Sequence, residues 1–125
     1  MKPYPRVRHI RPEELPAGRL ARDVLGTFTR EARRLAGDRV ERIVVYGSMA
    51  RGDSGPESDL DIWVDWNGDE AEGRAILSTL GADLFVETGL IVSVHVVSAE
   101  RRRRLEAWQT GFFRNVQAEG LVVEG

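Results

Sequence analysis

The stretch from Val44 to Val64, VVYGSMARGDSGPESDLDIWV, constrains the fold more than any other part of the chain. Arg42 to Tyr46 is a compact β-branched run suited to a buried central strand. Gly47 ends it. Ser48 to Arg51 is long enough for about one helical turn. Gly52 to Ser58 is polar, with Gly55-Pro56 marking a loop. Leu60, Ile62 and Val64 then alternate with Asp59, Asp61, Trp63 and Asp65. A period of two is a strand's period, and it puts the carboxylates on one face and the aliphatics on the other.

The rest of the chain supplies layers for these two strands. Leu20, Val24, Leu25, Phe28, Ala32 and Leu35 recur at helical spacing between Ala17 and Ala36, and Gly37-Asp38 stops them. A second long helix is expected over 69–88, with Ile76, Leu77, Leu80, Leu84 and Phe85 inward and Gly89 as its stop. Leu90 to Val97 reads as a strand by its valine content. Ser98 is a natural N-cap for a helix to about Gln109. Phe112 to Glu119 forms a last short helix, and Leu121 to Val123 adds an edge strand. Met1 to Pro16 holds four prolines and reads as an irregular arm, with an edge strand at Val7 to Ile10. The order is helix, strand, turn, strand, helix, strand, helix. It predicts an α/β (α+β) fold in which helices pack on a small mixed sheet. At 125 residues the expectation is one domain, 1–125, with 1–16 as its arm.

Composition excludes several classes of function. Net charge is -2, so nucleic acid is not an expected partner. The absence of cysteine removes thiol nucleophiles and zinc-thiolate sites and fits a reducing compartment. No apolar run approaches a membrane span. MKPYPRVRH lacks the apolar core of a signal peptide, so the expected location is the cytoplasm.

Asp59 and Asp61 stand two residues apart, with Cβ atoms roughly 7 Å apart on one face. Both can lean toward one hard cation, Mg²⁺ or Mn²⁺, which keeps waters and shares its shell with substrate phosphates. Gly47 lets the backbone approach a ligand closely, and the amides that open the next helix favour an anion. The Ser48 hydroxyl can donate to a phosphate oxygen. Arg51 ends the short helix within reach of the same phosphates. Ser58 can orient a carboxylate or a phosphate. Each of these features alone is common; together they join a phosphate-cradling turn to a carboxylate pair in strand order.

Gly47-Ser48, ten intervening residues and Asp59-x-Asp61 resemble the signature of the DNA polymerase β-like nucleotidyltransferase superfamily. The short length and the run GSMARGDSGPESDLDIWV resemble the minimal nucleotidyltransferase (MNT) domains, as does the ending FFRNVQAEG. The resemblance implies ATP as substrate, a divalent metal and transfer of AMP to a hydroxyl. It also implies, as one class of partner, a helical HEPN protein in a toxin–antitoxin pair, with the MNT protein as antitoxin. A domain of this size has little surface for an acceptor, so a partner chain or a homo-oligomer is expected.

The family usually places a third carboxylate on a neighbouring strand. Here that strand is LIVSVHVV, residues 90–97, with no Asp or Glu. Alternation leaves Ser93 or His95 at the third position. His95 could replace the base, since its pKa lies near neutrality, or bind a softer metal. Its bland reading is a half-buried strand histidine. Loss of the third carboxylate also motivates an alternative: a catalytically impaired module that acts as antitoxin by binding alone. Arg101 to Arg104 suit RNA or an acidic partner, but a solvated face paired with Glu100 and Glu106 is the more ordinary reading. Trp63, Trp66 and Trp108 can stack a base or pack a core, and alternation puts Trp63 on the carboxylate face.

Overall fold

The computed structural model describes residues 8–125. Met1 to Val7, the first part of the expected arm, lie outside the described residues. Strand β1 (Arg8–Ile10) realises the described part of the predicted edge strand. A single turn of 3₁₀ helix at Pro12–Glu14 follows it.

Helix α1 (Arg19–Ala36) has the predicted spacing and buries Val24, Leu25, Phe28 and Ala32. Leu20 and Leu35 were expected on that stripe and are exposed. The inward stripe runs through Ala21, Val24, Leu25, Phe28, Ala32 and Ala36; Leu20 falls to one side of it in the first turn, and Leu35 stands in the last turn of the helix. Strand β2 (Val40–Tyr46) leads through Gly47 into the one-turn helix α2 (Ser48–Arg51). Strand β3 (Leu60–Trp66) returns antiparallel to β2, with Tyr46 opposite Asp61 and Val44 opposite Trp63. Asp59 precedes β3 by one residue rather than standing in it, because pairing starts where the Leu60 amide donates to the Ile91 carbonyl.

Helix α3 (Glu70–Thr88) is capped by the Asp69 side chain, which accepts from the Ala71 amide. It crosses over to strand β4 (Val92–Ser98), parallel to β3. Gly73 lets α3 lie directly on the Trp66 indole, where a β-carbon would come within 2.5 Å of Cε2. Phe85 was expected inward but is exposed, because the inward row of α3 runs Gly73, Leu77, Leu80, Gly81 and Leu84.

The Ser98 hydroxyl accepts from the Arg101 amide and caps helix α4 (Ala99–Trp108), as the sequence predicts. Helix α5 (Gly111–Glu119) and strand β5 (Leu121–Val123) close the chain. The sheet order is β1-β5-β2-β3-β4. β5 is therefore not the edge expected of it: it lies between β1 and β2, and all three of its aliphatic side chains are buried.

The sheet has two unlike faces. Ile43, Val45, Ile62 and Val64 meet α1 and α3 in the main core. Val44, Tyr46, Trp63, Val97 and Val122 form a smaller cluster with Phe113 and Val116 of α5. The carboxylates of β3 share this second face. Among the described residues, no helix is long and apolar enough to cross a membrane.

Candidate active site

Gly47 brings the two halves of the site together. Its φ of 80° and ψ of -161° lie in a region that is essentially glycine's alone. A β-carbon at this position would stand 2.5 Å from Asp61 Oδ2 and 3.4 Å from its Cγ. The carboxylate thus rests against the α-carbon of the turn. Beyond the turn, the amides of Ala50 and Arg51 bond back to the Gly47 carbonyl. The earlier amides, of Ser48 and Met49, are the helix-start donors without a helical acceptor.

Burial raises the Asp61 carboxyl above the ordinary range, and the charge of Asp59 pushes it further in the same direction, while Arg51 opposes. Tyr46, opposite Asp61, is raised by burial and by the Asp61 charge and stays a neutral phenol. Arg51 itself is held by Asp53 at 3.2 Å and by Glu119 of α5 at 2.8 Å. In this arrangement it ties α2 to α5 and acts on Asp61 through its field. The Ser58 hydroxyl accepts from the Gly55 amide at 2.9 Å, so it shapes the loop that delivers Asp59.

Strand pairing separates the two residues that alternation left open. Ser93 lies beside Asp61, and His95 lies beside Trp63, one step further along. The His95 ring packs 5.2 Å from the Phe112 ring and 6.1 Å from that of Tyr46. Burial lowers its pKa, and the charge of Arg101 lowers it further, so the imidazole is neutral at neutral pH. The structure therefore groups Gly47, Ser48, Asp59 and Asp61 with Ser93, and sets His95 among aromatic rings at the margin.

Trp63 shares the carboxylate face but is fully buried, with its ring 5.8 Å from Phe112 and 6.1 Å from Phe113. It cannot stack a base. Its Nε1 donates to Asp65 Oδ1 at 2.7 Å. Asp65 also lies 3.3 Å from Arg102 and 3.6 Å from Arg42. Burial raises the Asp65 carboxyl, against the Trp63 hydrogen bond and the two arginines. This buried cluster ties α4 to the site face. Sequence reasoning missed it, although Asp65 belongs to the same alternation as Asp59 and Asp61. The arginine run is divided among partners: Arg101 pairs with Glu70, Arg102 with Asp65, and Arg104 with Glu100.

Among the described residues, no group of three or more His, Cys, Asp or Glu side chains could hold a metal ion. Asp59 and Asp61 instead offer two carboxylates beside the glycine turn. That set fits a cation which completes its shell with water and substrate phosphate, and does not fit a closed protein cage.

The sequence profile of the nucleotidyltransferase domain matches residues 25–116. A Methanocaldococcus jannaschii protein named "putative protein adenylyltransferase" is 35% identical over 85 residues, 68% of this chain and 79% of that protein. The crystal structure of a "putative nucleotidyltransferase from Sulfolobus solfataricus" superposes with a TM-score of 0.52 at 16% identity, covering 80% of this chain and 76% of that one. At that identity the likeness concerns the fold alone.

Proposed function

Because the chain belongs to the nucleotidyltransferase domain family, we propose that it transfers AMP, or another nucleoside monophosphate, from a nucleoside triphosphate to a hydroxyl on a polypeptide or a small molecule. The observation that carries this reading is the contact of Asp61 with the Gly47 turn. It sets a carboxylate pair against a stretch of backbone shaped to receive phosphates. The M. jannaschii relative, named a protein adenylyltransferase, favours a polypeptide acceptor.

In the step proposed, the acceptor oxygen bonds to the α-phosphorus of ATP. The bond from that phosphorus to the bridging oxygen of pyrophosphate breaks, and pyrophosphate leaves. Ser48 and the first amides of α2 hold the departing phosphates. Asp59 and Asp61 would hold Mg²⁺ or Mn²⁺, whose chemistry is to neutralise charge on the attacking and leaving oxygens. The acceptor proton passes to a base, for which the candidate is His95, one step along β4 from the Ser93 that stands beside Asp61. The acceptor chain is a separate protein of HEPN type or a second copy, met in the cytoplasm.

The test is incubation of the protein with Mg²⁺, ATP labelled at its α-phosphate and the product of the neighbouring gene. Label should pass to the partner with the wild type and not with Asp61→Ala. Equal labelling by the two, or none with either, contradicts the proposal.

A second reading has its own observation. Ser93, not a carboxylate, stands beside Asp61. A chain that has lost turnover would neutralise a toxin by complex formation alone. Full neutralisation by an Asp59→Ala, Asp61→Ala double variant favours this reading, and lost neutralisation favours transfer.

A further inference from the structure

Among the described residues, strand β4 stands at the edge of the sheet. Its sequence, VSVHVVS, spans seven residues without a proline or an acidic, lysine or arginine side chain. Exposed edges are ordinarily blunted by shortness, charge or proline, because an open edge templates another strand. The opposite edge, β1, spans three of the described residues, Arg8–Ile10. The bond from the Leu60 amide to the Ile91 carbonyl fixes the phase of the parallel ladder. Every second residue of β4 then turns its amide and carbonyl away from β3: Val92 and Val94, which are half-buried, and Val96, which is buried.

A groove of about 230 Å³ follows this edge. Arg74 of α3 flanks one side, and Arg101, Leu105 and Phe112 flank the other. Arg74 at 3.3 Å and Arg101 at 2.7 Å converge on a single oxygen, Glu70 Oε1. Two guanidinium groups on one carboxylate leave a positive charge uncompensated at the C-terminal end of β4. Both arginines are about half exposed, so that charge faces an incoming chain. A second copy paired edge to edge would bring to these arginines a strand, VSVHVVS, that carries no acidic side chain.

We propose that the edge of β4 takes an extended, acidic segment of the acceptor polypeptide as a sixth strand, with valine-sized side chains in the groove and a carboxylate against Arg74 and Arg101. Backbone hydrogen bonds supply affinity and the alternate side chains supply selectivity, as in other strand additions. The added strand would lie about 10 Å from β3, at two inter-strand spacings. Its site-facing side chains then stand next to Ser93, which is beside Asp61. The purpose of docking rests on the transferase reading; the docking itself does not.

The test uses the full chain without nucleotide. The probe is a fluorescent nine-residue peptide of alternating valine and threonine with two N-terminal glutamates. Antiparallel docking brings those glutamates to Arg74 and Arg101. Anisotropy should show saturable binding, weakened at least tenfold when arginine replaces the glutamates. N-methylation of the alternate residues that face β4 should weaken it as much. Val94→Pro should do the same, since proline is tolerated where an edge amide faces solvent; if that variant unfolds, the methylated peptide decides. Asp61→Ala should keep the peptide while losing nucleotide transfer, which separates this inference from the transferase reading. Indifference to N-methylation, or equal binding of the acidic and basic peptides, overturns it. So does a homodimer in sedimentation that Val94→Pro disperses, because the edge is then filled by a second copy.

Discussion

Gly47→Ala isolates the contact on which the proposed site depends. The substitution acts twice. It places a β-carbon on a backbone with φ 80° and ψ -161°, at a cost of about 1–3 kcal/mol. It also drives that carbon to 2.5 Å from Asp61 Oδ2, so the carboxylate must move. Gly89→Ala is the matched control. Gly89 has φ 80° and ψ -3°, and nothing lies within 4 Å of its would-be β-carbon. Its cost is the left-handed strain alone, about 1–2 kcal/mol. Urea melts should show Gly47→Ala destabilised at least as much as Gly89→Ala, with unchanged m-values. Displacing a positioned group by about 1 Å can cost on the order of 100-fold in rate. Label transfer from ATP should therefore fall by about that factor in Gly47→Ala and stay at the wild-type level in Gly89→Ala, both assayed where each variant is folded. A folded Gly47→Ala protein within about twofold of the wild-type rate would refute the reasoning, because Asp61 would not need the place the turn reserves for it.

Three further outcomes follow from particular contacts. Asp61 has a folded-state pKa raised by burial and then by Asp59, so its ionisation costs stability. Stability is therefore full below the unfolded-state pKa, where Asp61 is protonated in both states, and falls as pH rises through the folded one. Asp61→Asn should accordingly raise the Tm at pH 7 and not at pH 3, and Asp59→Asn should lower the Asp61 midpoint in a carboxyl NMR titration; no Tm gain, or an unmoved midpoint, contradicts this. Gly73→Ala should destabilise by about 1–3 kcal/mol in a urea melt despite alanine's better helix propensity, because its methyl group would overlap the Trp66 indole; a gain in stability counts against it. Asp65→Ala should cost about 1–3 kcal/mol by leaving the buried Trp63 Nε1 without its acceptor, while Asp65→Asn, which keeps a carbonyl there, should cost less; equal losses assign the effect to the arginines instead.

The parts of the fold set by local periodicity were legible in the sequence. Alternation from Asp59 to Asp65 and the glycine after Tyr46 were enough to find the strand, the turn and the carboxylate face. Pairing between distant strands was not legible. Alternation put Ser93 and His95 on one face, but only the parallel register of β4 on β3 sets Ser93 beside Asp61. The same limit misplaced β5, whose three aliphatics fit an edge or an interior strand equally well until β1 pairs outside it. Trp63 shows a different limit. A face that carries carboxylates at one end can be roofed at the other, and the roof is α5, brought over by contacts of Phe112 and Phe113. The Asp65–Arg102 pair joins residues far apart in sequence, so neither the alternation of β3 nor the arginine run of α4 signals it alone.

The most direct measurement of the central claim is a map of backbone amide shifts during titration with Mg²⁺ and a non-hydrolysable ATP analogue. Shifts should concentrate on Gly47, Ser48, Met49, Asp59 and Asp61, should require Mg²⁺, and should vanish in Asp61→Ala. Shifts centred on Arg101 to Arg104, with the Gly47–Asp61 region unmoved, would place nucleotide binding elsewhere and contradict the account.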